Sequence, residues 1–166
     1  DALPICSELR IFATEANRPA QIVNNVASIA GGGIHIRSED SLTSGGLYAK
    51  AYLYNAELKG NEAPQGAAVQ VQGSDTAVLV ESPAYFWFNI GGLPEGAAPC
   101  PVGGTCGLIS GNRTVSGNGQ PTEGAIINAQ HDANVALGAL SNGIIIEGNQ
   151  GGRLIQSSNG GDFNPV

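Results

Sequence analysis

An asparagine recurs along the chain in one short setting, and this repeat constrains the fold more than any other feature. The motif occurs as IVNN, LKGN, LISGN and IEGN, which end at Asn25, Asn61, Asn112 and Asn149. Each copy has an apolar residue three positions before the asparagine and an Asn or Gly directly before it. Successive asparagines are 36, 51 and 37 residues apart. A period near 36 residues predicts a solenoid, in which each repeat stacks on the next.

The segments between the asparagines carry the pattern of strands. Alternating runs such as GGIHIR, AAVQVQ and TAVLVE are bounded by turn residues, whereas Gly and Pro interrupt nearly every window that could form a helix. We therefore expect an all-β fold, a right-handed parallel β-helix of about four coils. It forms one domain, 1–166, with units around 11–46, 47–83, 84–133 and 134–166. So short a stack would expose backbone edges at both ends, which favours a segment of a longer β-helix or a solenoid with terminal caps.

The segments upstream of the asparagines align more loosely at the same period. Ala20 lies 36 residues before Ala56. Ile11 and Ala13 lie the same distance before Leu47 and Ala49, which predicts that these residues stack on adjacent coils.

The repeated asparagine has a structural explanation. Asparagine tolerates the left-handed backbone conformation that a sharp corner requires, and stacked amides can form a hydrogen-bonded ladder. We expect Asn25, Asn61, Asn112 and Asn149 to form such a ladder. NRT, which begins at Asn112, is formally a glycosylation sequon, but a ladder position would turn this amide inward and argue against modification.

Charge excludes some partners. The net charge is −7, with only seven Lys and Arg in all. These basic residues do not cluster, so a nucleic acid is not an expected partner. No apolar run approaches the length of a membrane span, so no membrane-spanning segment is expected either. No cofactor is expected. A metal site is not expected either, because no second Cys pair and no His pair has the spacing of metal ligands.

The three cysteines are Cys6, Cys100 and Cys106. CPVGGTC closes a short Gly-rich loop, so Cys100 and Cys106 could form a disulfide or remain two thiols. The disulfide is favoured, and it would fit an extracellular protein. Cys6 would then be unpaired or paired with a segment outside this sequence.

The acidic residues offer one candidate pair. Asp40 and Asp75 lie 35 residues apart and could stack on adjacent coils. Two carboxylates at a suitable separation could support glycoside hydrolysis. Most acids lie in Gly/Ser-rich insertions, however, and no basic residue repeats beside them. His131 and Asp132 more simply form a surface turn, because the chain has no nucleophile-elbow motif.

AYFWFNI, residues 84–90, carries four of the aromatic residues. On a strand, Tyr85 and Trp87 face one way and Phe86 and Phe88 the other. Phe86 and Phe88 would fill the core. Tyr85 and Trp87 either cover the inserted Cys loop or form a binding surface for a carbohydrate or a partner protein.

IVNNVASIAGGGIHI and LKGNEAPQGAAVQV resemble the repeats of bacterial surface and secreted right-handed β-helix proteins of the polymorphic outer-membrane protein type. This resemblance implies a non-catalytic extracellular module with a structural or adhesive role. Two alternatives remain open. One is a polysaccharide-binding or polysaccharide-degrading β-helix, and the other is a solenoid that self-associates into fibres through its ends. The partner is therefore unknown: a carbohydrate, a cell-surface protein or a second copy.

Overall fold

The computed structural model describes residues 7–38, 48–74, 83–138, 143–158 and 161–165, which form fifteen strands and no helix. The first seven strands are β1 (Ser7–Phe12), β2 (Ala20–Val23), β3 (Ile34–Arg37), β4 (Ala49–Tyr54), β5 (Ala56–Lys59), β6 (Glu62–Ala63) and β7 (Val69–Gln72). The remaining strands are β8 (Ala84–Phe88), β9 (Leu108–Ser110), β10 (Arg113–Thr114), β11 (Ala125–Gln130), β12 (Ala133–Leu137), β13 (Ile145–Glu147), β14 (Arg153–Ser158) and β15 (Asp162–Pro165).

The strands form three main sheets, and all neighbouring strands within them are parallel. Sheet 1 has the order β1-β4-β8-β12-β15, sheet 2 the order β2-β5-β9-β13, and sheet 3 the order β3-β7-β11-β14. The short strands β6 and β10 pair separately. Along the chain, a strand of sheet 1 is followed by one of sheet 2 and then one of sheet 3. This all-β, parallel arrangement is consistent with the β-helix that the repeat predicts.

The register agrees with the expected alignment in sheet 2 and differs from it in sheet 1. Ala20 pairs with Ala56 as predicted. The prediction for Ile11 was wrong, because Ile11 pairs with Leu53 rather than with Leu47. The reason lies in the turns that follow: residues 13–19 connect β1 to β2, whereas Asn55 alone connects β4 to β5. The six extra residues between β1 and β2 change the sequence spacing between paired residues of β1 and β4.

Rows of apolar side chains from successive strands form the core. In sheet 2 the stacked residues are Ile22, Leu58, Ile109 and Ile146. Phe86 and Phe88 of β8 are fully buried, as the alternation predicts. The neighbours of these two rings on the same strand therefore point away from the core.

Candidate binding surface

The four repeated asparagines form a hydrogen-bonded ladder at the corner after sheet 2. The first three asparagines each donate from the backbone N–H and from Nδ2 to Oδ1 of the next asparagine, at distances between 2.9 and 3.1 Å. Nδ2 also donates to a carbonyl of the preceding coil, for example from Asn112 to Leu58 at 2.9 Å. Asn61 and Asn112 are fully buried. The ladder thus satisfies polar groups that the corner removes from water, and the Asn112 amide is turned inward.

The left-handed backbone lies one residue before the ladder position, which corrects the expected role of the asparagine itself. Asn24, Gly60, Gly111 and Gly148 have φ values of 56°, 64°, 62° and 62°. The Asn-or-Gly position of the motif therefore makes the bend, since these residues adopt positive φ most easily. The asparagine that follows supplies only the hydrogen bonds.

A second asparagine corner lies after sheet 1, and the repeated motif does not predict it. The backbone N–H of Asn55 donates to the Oδ1 of Asn89 at 3.0 Å, and Nδ2 of Asn89 donates to the carbonyl of Cys106 at 2.7 Å. Both asparagines are buried and have positive φ. Their sequence signal is an asparagine directly after an aromatic residue at a strand end, Tyr54-Asn55 and Phe88-Asn89.

Cys100 and Cys106 form a disulfide, with their Cα atoms 5.1 Å apart. The bridge closes the end of the long connection between β8 and β9, and Sγ of Cys100 lies 3.5 Å from the hydroxyl of Tyr54. Cys6 lies outside the described residues. The disulfide constrains the loop that borders the aromatic surface described next.

Tyr85 and Trp87 lie half-buried on the outer face of sheet 1, beside aromatic residues of the neighbouring strand. Tyr52 is paired with Trp87 across β4 and β8, and their rings meet edge to face with centroids 5.3 Å apart. Tyr85 contacts the ring of Trp87 at 6.2 Å and that of Tyr48 at 6.3 Å. Trp87 also donates from Nε1 to Oδ1 of Asn134 at 3.2 Å. These contacts hold the rings in fixed positions.

Lys50 lies within this aromatic cluster. Its Nζ is 3.5 Å from the ring centroid of Trp87, 4.7 Å from that of Tyr52 and 5.1 Å from that of Tyr85. Arg10 lies over the other side of the cluster, with Cζ 5.6 Å from the Tyr52 centroid. The outer face of sheet 1 therefore combines aromatic rings with two cations, an arrangement stabilised by cation–π attraction.

A cleft of about 360 Å³ lies between this face and the connection that follows β8. Its floor is formed by Arg10, Tyr52 and Trp87, and its wall by residues 90–95, including Leu93 and Glu95. Trp87 therefore borders a cleft whose wall belongs to the same inserted connection, residues 89–107, that carries the disulfide. Aromatic rings beside a few polar groups are typical of sites for small ligands and sugars.

The acidic pair Asp40 and Asp75 lies outside the described residues. His131 and Asp132 form the tight turn between β11 and β12, both with positive φ. Within the described ranges, no group of three or more His, Cys, Asp or Glu side chains could hold a metal ion. The same ranges contain no helix long and apolar enough to cross a membrane.

His35 is exposed on the outer face of sheet 3, as the alternation in GGIHIR predicts. Partial desolvation, together with the positive charge of Arg37, lowers the pKa of this imidazole. His35 therefore remains neutral to a lower pH than a free histidine.

No protein-family model, curated protein or solved structure matches this chain.

Proposed function

We propose that this chain is a non-catalytic, extracellular adhesive module that binds a carbohydrate in the cleft beside Trp87. In this proposal it is a segment of a longer right-handed β-helix of about four coils, related to the surface and secreted proteins that its repeats resemble. The parallel sheets, the asparagine ladder and the disulfide support this proposal. Disulfides persist mainly in oxidising compartments such as the cell exterior.

The cleft is the observation that carries the proposal. Trp87 and Tyr52 offer aromatic surface to the apolar C–H face of a sugar. Arg10 and Glu95, which also line the cleft, offer hydrogen-bonding groups to the hydroxyls at the edge of the sugar ring. The hydrogen bond from Trp87 to Asn134 and the edge contact with Tyr52 fix the indole before a ligand arrives. A fixed ring loses little conformational freedom on binding, which favours affinity.

Binding is favoured over hydrolysis by the charges at the cleft. Glu95 is the one carboxylate among the described residues that line it. Glu8 forms an ion pair with Arg10 and is not part of the lining. Most glycoside hydrolases use two carboxylates on either side of the scissile bond, so a single acid fits a binding site better.

The test uses Trp87 as its own reporter, because it is the sole tryptophan of the chain. Intrinsic fluorescence is measured while the protein is titrated with hexasaccharides of glucose, mannose, N-acetylglucosamine and galacturonate. We expect at least one probe to change the emission saturably. Tyr52→Ala removes part of the cleft floor but keeps the reporter, and we expect it to weaken that binding about tenfold or more.

Tyr48→Ala is the matched control, since Tyr48 contacts Tyr85 but does not line the cleft. It should bind as the parent does. The proposal is wrong if no hexasaccharide changes the emission, or if Tyr52→Ala binds as tightly as Tyr48→Ala.

A further inference from the structure

The outer face of sheet 3 carries side-chain amides in register on successive strands. Gln70 of β7 pairs with Asn128 of β11, and Gln72 pairs with Gln130. On the other side of β7, the same two glutamines pair with His35 and Arg37 of β3. Parallel strands place such partners about 4.8 Å apart. The result is two rows of polar side chains running across the strands.

These rows form the floor of a groove of about 730 Å³. Its wall is the turn of residues 26–30, where Val26 and Ile29 are 75% and 80% exposed. The groove is therefore polar along its floor and apolar along one rim. It lies on a different sheet from the aromatic cleft.

Asn128 holds an unsatisfied hydrogen-bonding atom at this floor. The side chain is only 1% exposed, and its Oδ1 has no hydrogen-bond partner among the described residues. Its Nδ2 donates to Oε1 of Gln70 at 2.9 Å, and Nε2 of Gln70 donates to Oε1 of Gln130 at 3.4 Å. Exchanging the O and N positions in all three side-chain amides would keep the hydrogen bonds between them but would leave Nδ2 of Asn128, rather than its Oδ1, without a partner. Such a buried group is costly unless a ligand or water pairs with it.

We propose that this groove is a second binding site, which takes a neutral sugar chain lying across the strands. Each amide offers one donor and one acceptor group, and a sugar hydroxyl both donates and accepts, so the amides match a neutral sugar. Arg37, at the β3 end of one row, adds N–H donors that can also bond hydroxyl oxygens. A hydroxyl reaches the buried, unpaired Oδ1 of Asn128 when this amide rotates toward the groove. The rim of Val26 and Ile29 contacts the apolar face of the sugar ring.

An extended peptide fits this groove less well. Same-side groups of a peptide strand repeat about every 6.7 Å, twice the rise per residue, whereas the amide rows repeat about every 4.8 Å. A peptide in register with one amide would therefore be out of register with the next. A sugar ring carries several hydroxyls, so it can meet an amide at each strand.

Nuclear magnetic resonance of this 16.8 kDa chain separates the two sites. Side-chain amide signals of Gln70, Asn128 and Gln130 report on the groove, and the indole N–H signal of Trp87 reports on the cleft. The probes are cellohexaose, mannohexaose and chitohexaose, with a capped Ser-Gly hexapeptide for comparison. We expect at least one hexasaccharide to shift the groove amides saturably, whether or not the indole signal moves.

Two variants test the contribution of the floor. Asn128→Leu removes the unpaired acceptor, and Gln130→Ala, at a half-buried position, removes an amide with less risk to folding. Each should weaken the groove binding about five- to tenfold, as expected for one or two lost hydrogen bonds. Gln21→Ala, an exposed amide on β2 outside the groove, should leave it unchanged.

Three results would overturn this proposal. The first is that no hexasaccharide shifts the groove amides. The second is that Gln130→Ala binds the shifting sugar as the parent does. The third is that the peptide shifts these amides and the sugars do not. A shift confined to the indole would reject the groove while supporting the cleft.

Discussion

Asn61 donates two hydrogen bonds to a single atom of Asn112, since its backbone N and its Nδ2 both lie 3.0 Å from Oδ1. Asn112 makes the same pair of bonds to Asn149. The side-chain oxygen of an interior asparagine therefore satisfies two donors of the neighbouring coil at once.

Replacing an interior asparagine of the ladder should destabilise the protein strongly. Asn112→Ala leaves two donors of Asn61 and the carbonyl of Leu58 without these partners, and unsatisfied buried groups cost about 1–3 kcal/mol each. We expect a loss of about 3 kcal/mol in the free energy of unfolding, measured by urea denaturation. Asn25→Ala, at the exposed end of the ladder, should cost about 1 kcal/mol or less. Equal losses at the two positions would contradict the ladder as a major stabiliser.

At the position directly before a ladder asparagine, the backbone conformation alone should determine the cost of each substitution. A Cβ on Gly111 would meet nothing closer than 3.9 Å, so the cost of Gly111→Ala comes from its φ of 62°. We expect about 1 kcal/mol. Gly111→Asn should cost less, because Asn24 already adopts this conformation at the equivalent corner. Urea denaturation of both variants measures the difference, and an Asn variant less stable than the Ala variant would refute this explanation.

Reduction of the disulfide should lower stability moderately. The bridge closes a short loop, and the chain-entropy relation gives about 2 kcal/mol for it. We expect Cys100→Ser/Cys106→Ser to unfold at a lower temperature than the parent in a thermal scan. The comparison is best made in a Cys6→Ser background, which prevents thiol exchange. A reductant should lower the melting temperature of that background but not of the double variant, and equal effects would argue against the bridge.

Lys50 should stabilise the aromatic cluster through its charge. Lys50→Met keeps most of the side-chain length but removes the ammonium that lies 3.5 Å from the Trp87 centroid. We expect a loss of about 0.5–1 kcal/mol in the free energy of unfolding, together with a change in tryptophan emission. Lys59→Met, at an exposed lysine of β5, is the control and should change neither quantity. A loss in both variants would indicate a general charge effect.

The lowered pKa of His35 predicts a loss of stability in mild acid. Above the pKa of the unfolded chain, near 6.5, the imidazole is neutral in both states and contributes no difference. As the pH falls through this value and then through the lower folded pKa, the unfolded state binds the proton more readily. His35→Gln should therefore remove part of the decline in stability that begins as the pH falls below about 6.5. Urea denaturation at several pH values measures the free energy of unfolding of the parent and of His35→Gln. Identical pH profiles for the two proteins would contradict the prediction.

The repeat predicted the ladder because each asparagine occurs in the same short motif. It misassigned the bend, since the motif alone does not distinguish which of its last two residues adopts positive φ. It misplaced Ile11 because a single period cannot anticipate corners of unequal length. The second pair, Asn55 and Asn89, lacks a comparable repeat, with only an aromatic residue before each.

The binding surfaces were predicted only in part. Alternation in AYFWFNI correctly placed Phe86 and Phe88 in the core and Trp87 on the outer face. It could not place Lys50 over the indole, because that contact depends on the register between β4 and β8. The pairing of Gln70 with Asn128 also depends on strand register, between β7 and β11, and could not be predicted from one period. Residues 60–68 connect β5 to β7, whereas the longer segment 111–124 connects β9 to β11.

The corner between sheet 1 and sheet 2 varies greatly in length while the strands on either side stay in register. It comprises Asn55 alone after β4, but residues 89–107 after β8. The longer version carries both the disulfide and the wall of the cleft. Chain length can therefore change at this corner without any change in the stacked core. An insertion or deletion at this corner would therefore add or remove the cleft wall while leaving the stacked framework unchanged.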